Sequence, residues 1–182
     1  MQVYLWFLIG LPGSGKSYLA KQLARQSPGS SIISTDALRA HLFGHEALQG
    51  PWPLIWQVVE QQLALAVGQI LSGRIPGAIY DATNCARRQR REAIALAKGV
   101  GFTQIMGIWV NTPLELCLER NHNRERVVPK EVILRMSRQL AGAPPALGEG
   151  FAGLVCKRPP GIGRPWSNTS DRKCGYCGLE GG

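Results

Sequence analysis

Acidic residues are scarce in this chain of 182: 12 Asp and Glu stand against 21 Lys and Arg, a formal net charge of +9. A surface so short of negative charge attracts polyanions, nucleotides and nucleic acids first among them, without choosing between the two. Cysteine is sparse too. Five cysteines, an odd number with no regular spacing, exclude a disulfide framework and fit a reducing compartment. Long hydrophobic runs are also few. The opening MQVYLWFLIGL is apolar, yet it has no basic segment and runs straight into glycines, so it reads as a core strand and not a signal peptide. No other run approaches the roughly eighteen residues of a membrane span. These absences predict a cytoplasmic protein without a membrane partner, and no internal repeat suggests a solenoid.

What is present is a hydrophobic content of 45%, enough to bury one ordinary α/β core. Short apolar runs ending in glycine or small polar residues alternate with longer helix-like stretches, the pattern of βα units around a parallel sheet. The expected strands are Val3–Ile9, Ser31–Ser34, Ala78–Tyr80, Gln104–Val110 and Leu154–Cys156. The expected helices are Lys16–Arg25, Asp36–Phe43, Leu54–Leu71, Arg87–Lys98, Pro113–Asn121 and Pro129–Leu140. Thr112 before Pro113 reads as an N-cap followed by proline at the first helical position, and Pro129 before Lys130 repeats the signal. Residues 1–151 form the expected domain. Residues 152–182, with seven glycines and three prolines in thirty-one positions, read as one edge strand and an irregular tail.

LIGLPGSGKS, Leu8 to Ser17, contains Gly10, Gly15, Lys16 and Ser17 in the spacing G-x-x-x-x-G-K-[ST], with an apolar strand before it and a helical pattern after it. Glycines let backbone N–H groups turn inward around phosphate oxygens, and the helix that begins at Lys16 adds its positive dipole end. Gly10, Pro12, Gly13, Ser14, Gly15, Lys16, Ser17 and Tyr18 are therefore the expected nucleotide site for ATP or another NTP. Lys16 should reach the β and γ phosphates and Ser17 should ligate Mg²⁺. The plain alternative is a glycine-rich turn that happens to contain Gly-Lys-Ser.

In open α/β sheets ligands sit beyond the carboxyl ends of the strands, which singles out Asp36 after SIIST and Asp81 after GAIY. Phosphoryl transfer uses one group to orient and deprotonate the acceptor hydroxyl and a carboxylate to help hold Mg²⁺. Asp36 suits the first role and Asp81 the second. Helix capping by Thr35 or Asp36, and by Thr83 or Asn84, is the structural alternative. Arg39, three residues past Asp36, shares its helix face and could hold an anion or steer the carboxylate.

GLPGSGKS, STDALR, DATN and LERNHNR, in this order, resemble the kinase domain of the 5′-OH polynucleotide kinases and their P-loop relatives, from about Met1 to Phe151. The resemblance implies a three-layer α/β P-loop fold, with a mostly parallel five-stranded sheet of order 2-3-1-4-5 and an arginine lid between Arg120 and Arg126. It implies that Asp36 is the general base toward a 5′-hydroxyl and that Arg39 contacts the acceptor phosphate. Asp81, Thr83 and Asn84 fall near nucleotide and acceptor by the same likeness.

Arg120 and Arg124, four apart at a predicted helix end, could clamp the β and γ phosphates from one face, with Arg126 following in the loop. A solvated helix end, with Glu119 and Glu125 as partners, is the alternative. Arg87, Arg88, Arg90 and Arg91 crowd the start of another helix, where the dipole disfavours cations, so a bound polyanion would offset their placement; Arg87 joins Asp36, Arg39, Asp81, Thr83 and Asn84 among the candidate acceptor contacts. A solvated basic face is the competing reading. Trp52 and Trp56 could stack on a base or simply pack. Cys174 and Cys177 form a single C-x-x-C with Cys156 the only other cysteine near in sequence, so a four-ligand structural zinc is the lesser reading of this tail. The expected activity is transfer of the γ-phosphoryl group of ATP·Mg²⁺ to an alcohol, foremost the 5′-OH end of DNA or RNA. A small-molecule kinase with a sugar, nucleoside, shikimate-like or activated-sugar acceptor, and a nucleotide switch with little turnover, are its rivals.

Overall fold

The computed structural model describes residues 1–44 and 51–158. Its five strands are β1 (Tyr4–Ile9), β2 (Ser31–Ser34), β3 (Ala78–Asp81), β4 (Gln104–Val110) and β5 (Gly153–Lys157). They form one sheet of order β2-β3-β1-β4-β5, and every pairing is parallel. This is the expected order. Among the described residues six α-helices connect the strands: α1 (Lys16–Gln26) after β1, α2 (Thr35–Phe43) and α3 (Trp52–Leu71) in succession after β2, α4 (Arg87–Gly99) after β3, and α5 (Leu114–His122) and α6 (Lys130–Gly142) in succession after β4. The Gly/Pro-rich stretch after residue 158, with Cys174 and Cys177, lies outside the described residues.

Central β1 is buried on both faces, which is why it reads as a continuous apolar run and not an alternating one. Leu5, Phe7 and Ile9 join the larger core, where α3 contributes Ile55, Val59 and Leu63 and α4 contributes Ala93, Ile94 and Ala97. Leu8 turns to the opposite face and meets Ile79 and Ile108 under Leu19 and Ala20 of α1. Phe151 packs on Phe7 with ring centroids 5.5 Å apart, in the space left by Gly107, where a Cβ would come within 3.1 Å of the Phe151 ring.

Two details correct the sequence reading. The 20-residue α3 has a mean hydropathy of 1.2 over 18 residues, enough by length and composition to cross a membrane, so an apolar run of that length does occur beyond the opening segment. Its buried side chains, Ile55 through Ile70, face the sheet. The helix starts at α5 and α6 also differ: Pro113 and Pro129 are themselves the cap residues, outside the first helical turn. Thr112 is thereby released, and its hydroxyl donates to the Ser14 carbonyl at 2.8 Å.

Because all five strands run the same way, their carboxyl ends share one edge, and the register aligns Ser34 with Asp81 and Phe7 with Tyr80. The loops after β1, β2, β3 and β4 therefore converge there.

Candidate active site

The loop from Gly10 to Ser17 is shaped by glycine where side chains cannot go. Gly13 adopts φ +80°, and a Cβ there would collide with the Cys117 carbonyl. Gly15, at φ +97°, opens onto space with nothing within 4 Å and forms the N-terminal cap of α1 without a side-chain bond, so the amides beyond it face an open cradle. Neighbouring strand ends brace the loop. Gly10 N–H donates to Thr83 O at 3.0 Å, Asn84 Nδ2 to Leu8 O at 2.7 Å, and Thr112 Oγ1 to Ser14 O.

Within this cradle Ser14 Oγ is buried without a hydrogen-bond partner among the described residues. Lys16 is 7% exposed, and its ammonium donates to Leu11 O at 2.8 Å. Burial lowers the Lys16 pKa below the ordinary lysine range, while Asp81, Cys85 and Asp36, in that order, pull it back up. A buried ammonium with one carbonyl partner and an open concavity before it fits a polyphosphate. Ser17 is exposed beside it and Asp81 is buried at the end of β3. Their hydroxyl and carboxylate are the hard oxygen donors Mg²⁺ takes, and the described residues hold no group of three or more His, Cys, Asp or Glu. Mg²⁺ sites of nucleotide enzymes commonly use one or two protein oxygens together with phosphates.

The expected acceptor residues Asp36 and Arg39 lie on α2. Ser34, and neither Thr35 nor Asp36, caps this helix, its hydroxyl accepting from Ala37 N–H at 3.4 Å. The Asp36 carboxylate is left for other partners. Arg39 Nη1 reaches its Oδ1 at 2.7 Å, and Arg126 Nη1 reaches the same oxygen at 2.8 Å. Arg126 comes from the segment between α5 and α6, whose base Asn121 staples in both directions: Nδ2 donates to Val128 O at 2.8 Å and Oδ1 accepts from Val128 N–H at 3.0 Å. The segment between α5 and α6 is thus tethered at its root, with Arg126 against the Asp36 carboxylate.

Several expected positions are placed differently. Arg124 lies past the end of α5, so helical periodicity does not put it on one face with exposed Arg120. Arg90 is withdrawn from the supposed basic track: it is fully buried, paired through Nε and Nη2 to both Glu149 oxygens at 2.7 Å. It also donates to the carbonyls of Asn84, Cys85 and Ala143. Arg88 and Arg91 remain exposed, and half-exposed Arg87 leans on Glu149 at 3.6 Å. Asn84 holds φ +50° and is 5% exposed, its amide engaged by the backbone of β1. Thr83 is half-buried beside it, and its carbonyl accepts from Gly10. Cys85 and Cys117, unremarked in sequence, are buried near Lys16, and burial pushes each thiol up to about 11.

Residues 5–143 match the model of the AAA domain family. The chain belongs to this family. It is 26% identical over 135 residues to an L-seryl-tRNA(Sec) kinase of Methanococcus maripaludis, covering 72% of this chain and 50% of that protein. The chain therefore spans about half the length of that curated relative. It superposes on a chain of the Pnkp1/Rnl/Hen1 RNA repair complex with a TM-score of 0.66 at 24% identity, covering 78% of this chain and 45% of that one. It also superposes on a sugar kinase from Janibacter sp. with a TM-score of 0.56 at 17% identity, covering 87% and 86%. These likenesses show that this AAA-family domain has the P-loop kinase fold.

The sequence did carry a signal for the buried arginine. Arg90, Ala93, Ile94 and Ala97 occupy one stripe of α4, and all four are buried.

Proposed function

We propose that this domain is an ATP-dependent kinase that transfers a γ-phosphoryl group to an alcohol, and that the alcohol is the 5′-hydroxyl end of DNA or RNA. The observation that carries the reading is the Asp36 carboxylate, uncapped and bracketed by Arg39 and Arg126, facing the same sheet edge as the buried ammonium of Lys16. The names of two relatives, a seryl-tRNA kinase and an RNA repair complex, support a nucleic-acid acceptor, as does the net charge of +9.

Lys16 and the loop amides would hold the β and γ phosphates, and Ser17 with Asp81 would hold Mg²⁺. The ion would neutralise charge on the phosphate oxygens. Asp36 accepts the proton of the acceptor hydroxyl as its oxygen bonds to the γ phosphorus and the bond to the β-phosphate oxygen breaks, releasing ADP. Arg39 steers Asp36 and meets the acceptor's phosphate, and Arg120 and Arg124 stabilise charge on the transferring group. Thr83, Asn84 and Arg87 border the acceptor.

Incubation with γ-labelled ATP and Mg²⁺ against 5′-OH oligonucleotides and a panel of sugars and nucleosides tests this. Label should appear on oligonucleotide ends. Label on small alcohols alone would overturn the acceptor assignment and favour the sugar-kinase likeness, which spans nearly both chains.

A further inference from the structure

Trp52 is 43% exposed and stands against Arg39, the expected acceptor arginine. It is held rigidly. Pro51 precedes it as the cap of α3, and Pro53 follows in the first turn. One turn on, Trp56 stacks against it, with centroids 5.8 Å apart and planes 28° apart. The Arg39 guanidinium lies 5.9 Å from the Trp52 ring centroid while its Nη1 grips Asp36. One arginine therefore joins an exposed indole to the carboxylate assigned as base.

Resting on the kinase reading above, we propose that Trp52 is the base platform of the acceptor site: the 5′-terminal nucleobase stacks on its exposed surface, bringing the 5′-hydroxyl to Asp36. The pairing of groups selects the ligand class. A flat π-surface beside a fixed cation matches a nucleotide, which carries a planar base and a phosphate on one short frame. A neutral sugar offers the guanidinium hydroxyl oxygens but no anionic charge. Stacking also tolerates any base, so the platform gives affinity for an end without choosing its sequence. The preformed Trp52–Trp56 stack means little ordering is needed on binding.

The test compares a 5′-OH oligonucleotide with the same strand made abasic at its first nucleotide, using the whole chain and its Trp52→Ala and Trp52→Phe variants. Removing the base should raise the wild-type KM about tenfold, and Trp52→Ala should raise KM about tenfold for the intact strand. The two losses should not multiply, Trp52→Phe should restore most of the affinity, and KM for ATP should stay unchanged. Quenching of tryptophan fluorescence by the intact strand, weakened in Trp52→Phe, would report the stack without turnover. The platform is overturned if the two effects multiply, or if Trp52→Ala lowers kcat equally on both strands, which would reduce Trp52 to packing for Arg39. A wild-type protein that labels both strands with equal KM overturns the platform alone. One that labels no strand but labels small alcohols removes the acceptor reading and the platform together.

Discussion

Two arginine–carboxylate pairs in this molecule close to the same 2.7 Å: Arg90 with Glu149, and Arg39 with Asp36. Their surroundings separate them. Arg90 is fully buried, its guanidinium divided among both Glu149 oxygens and the carbonyls of Asn84, Cys85 and Ala143. The Asp36 side chain is 48% exposed and shares one oxygen between arginines from two elements. The first pair fixes the turn after β3, which in turn braces the phosphate loop through Thr83 and Asn84. The second is reached by water, so its partners can exchange without leaving a buried charge unpaired. Equal distance thus says little about role; burial and the number of satisfied partners say more.

The comparison predicts opposite readouts. Asp36→Ala should lower kcat by about 10²–10⁴, the contribution of a positioned general base, while nucleotide binding and Tm stay near wild type. Near-normal turnover would shift the base role to Asp81. Arg90→Ala should instead destabilise the fold by about 3–5 kcal/mol, since Glu149 is left as an uncompensated buried charge. A urea titration measures this, and replacing both partners with apolar residues of similar volume should recover much of the loss. If Asp36→Ala unfolded the protein and Arg90→Ala did not, the division between the pairs would collapse.

A smaller effect probes the buried wall beneath the phosphate loop. Cys85 and Cys117 ionise in the fold only near 11, against an ordinary value of 9.0. The unfolded chain therefore loses these protons first, and stability should be intact below about pH 9 and fall as pH rises toward 11. Tyr80, also pushed up by burial, adds in the same direction at higher pH. Urea midpoints at neutral pH and at increasing alkalinity measure the slope, which should flatten in a Cys85→Ala, Cys117→Ala variant. An unchanged slope would mean that the thiols are solvated and the wall is looser than its packing indicates.

Most of the fold was legible because its signals are local. Apolar runs set every strand to within two residues, and the glycine pattern fixed where β1 gives way to α1. The site was legible in part. The loop and the two strand-end aspartates follow from spacing, but the partner each side chain chooses depends on contacts far along the chain. Nothing near Asp36 announces Arg126, and nothing near Arg90 announces Glu149, 59 positions away. Asn121 was equally silent, since its role depends on the return of the chain at Val128. A cluster of four arginines looked like one surface because charge was counted before the helical stripe that buries the third.

A third pair completes the comparison. Arg88 meets Glu92 at the same 2.7 Å, one helical turn apart, but its side chain is 90% exposed. Solvent competition and side-chain entropy cancel most of the attraction in such a pair, so Arg88→Ala should leave Tm unmoved. Its effect belongs to binding. With Arg87 and Arg91 it stands at the start of α4, where the helix dipole gives no reason for cations to gather. Should these arginines track a nucleic-acid backbone, Arg88→Ala would weaken oligonucleotide affinity equally across sequences and lower the slope of log affinity against log salt by about 1. A variant with wild-type salt dependence would leave Arg88 and Glu92 a solvated pair on α4 and take Arg88 out of any nucleic-acid track.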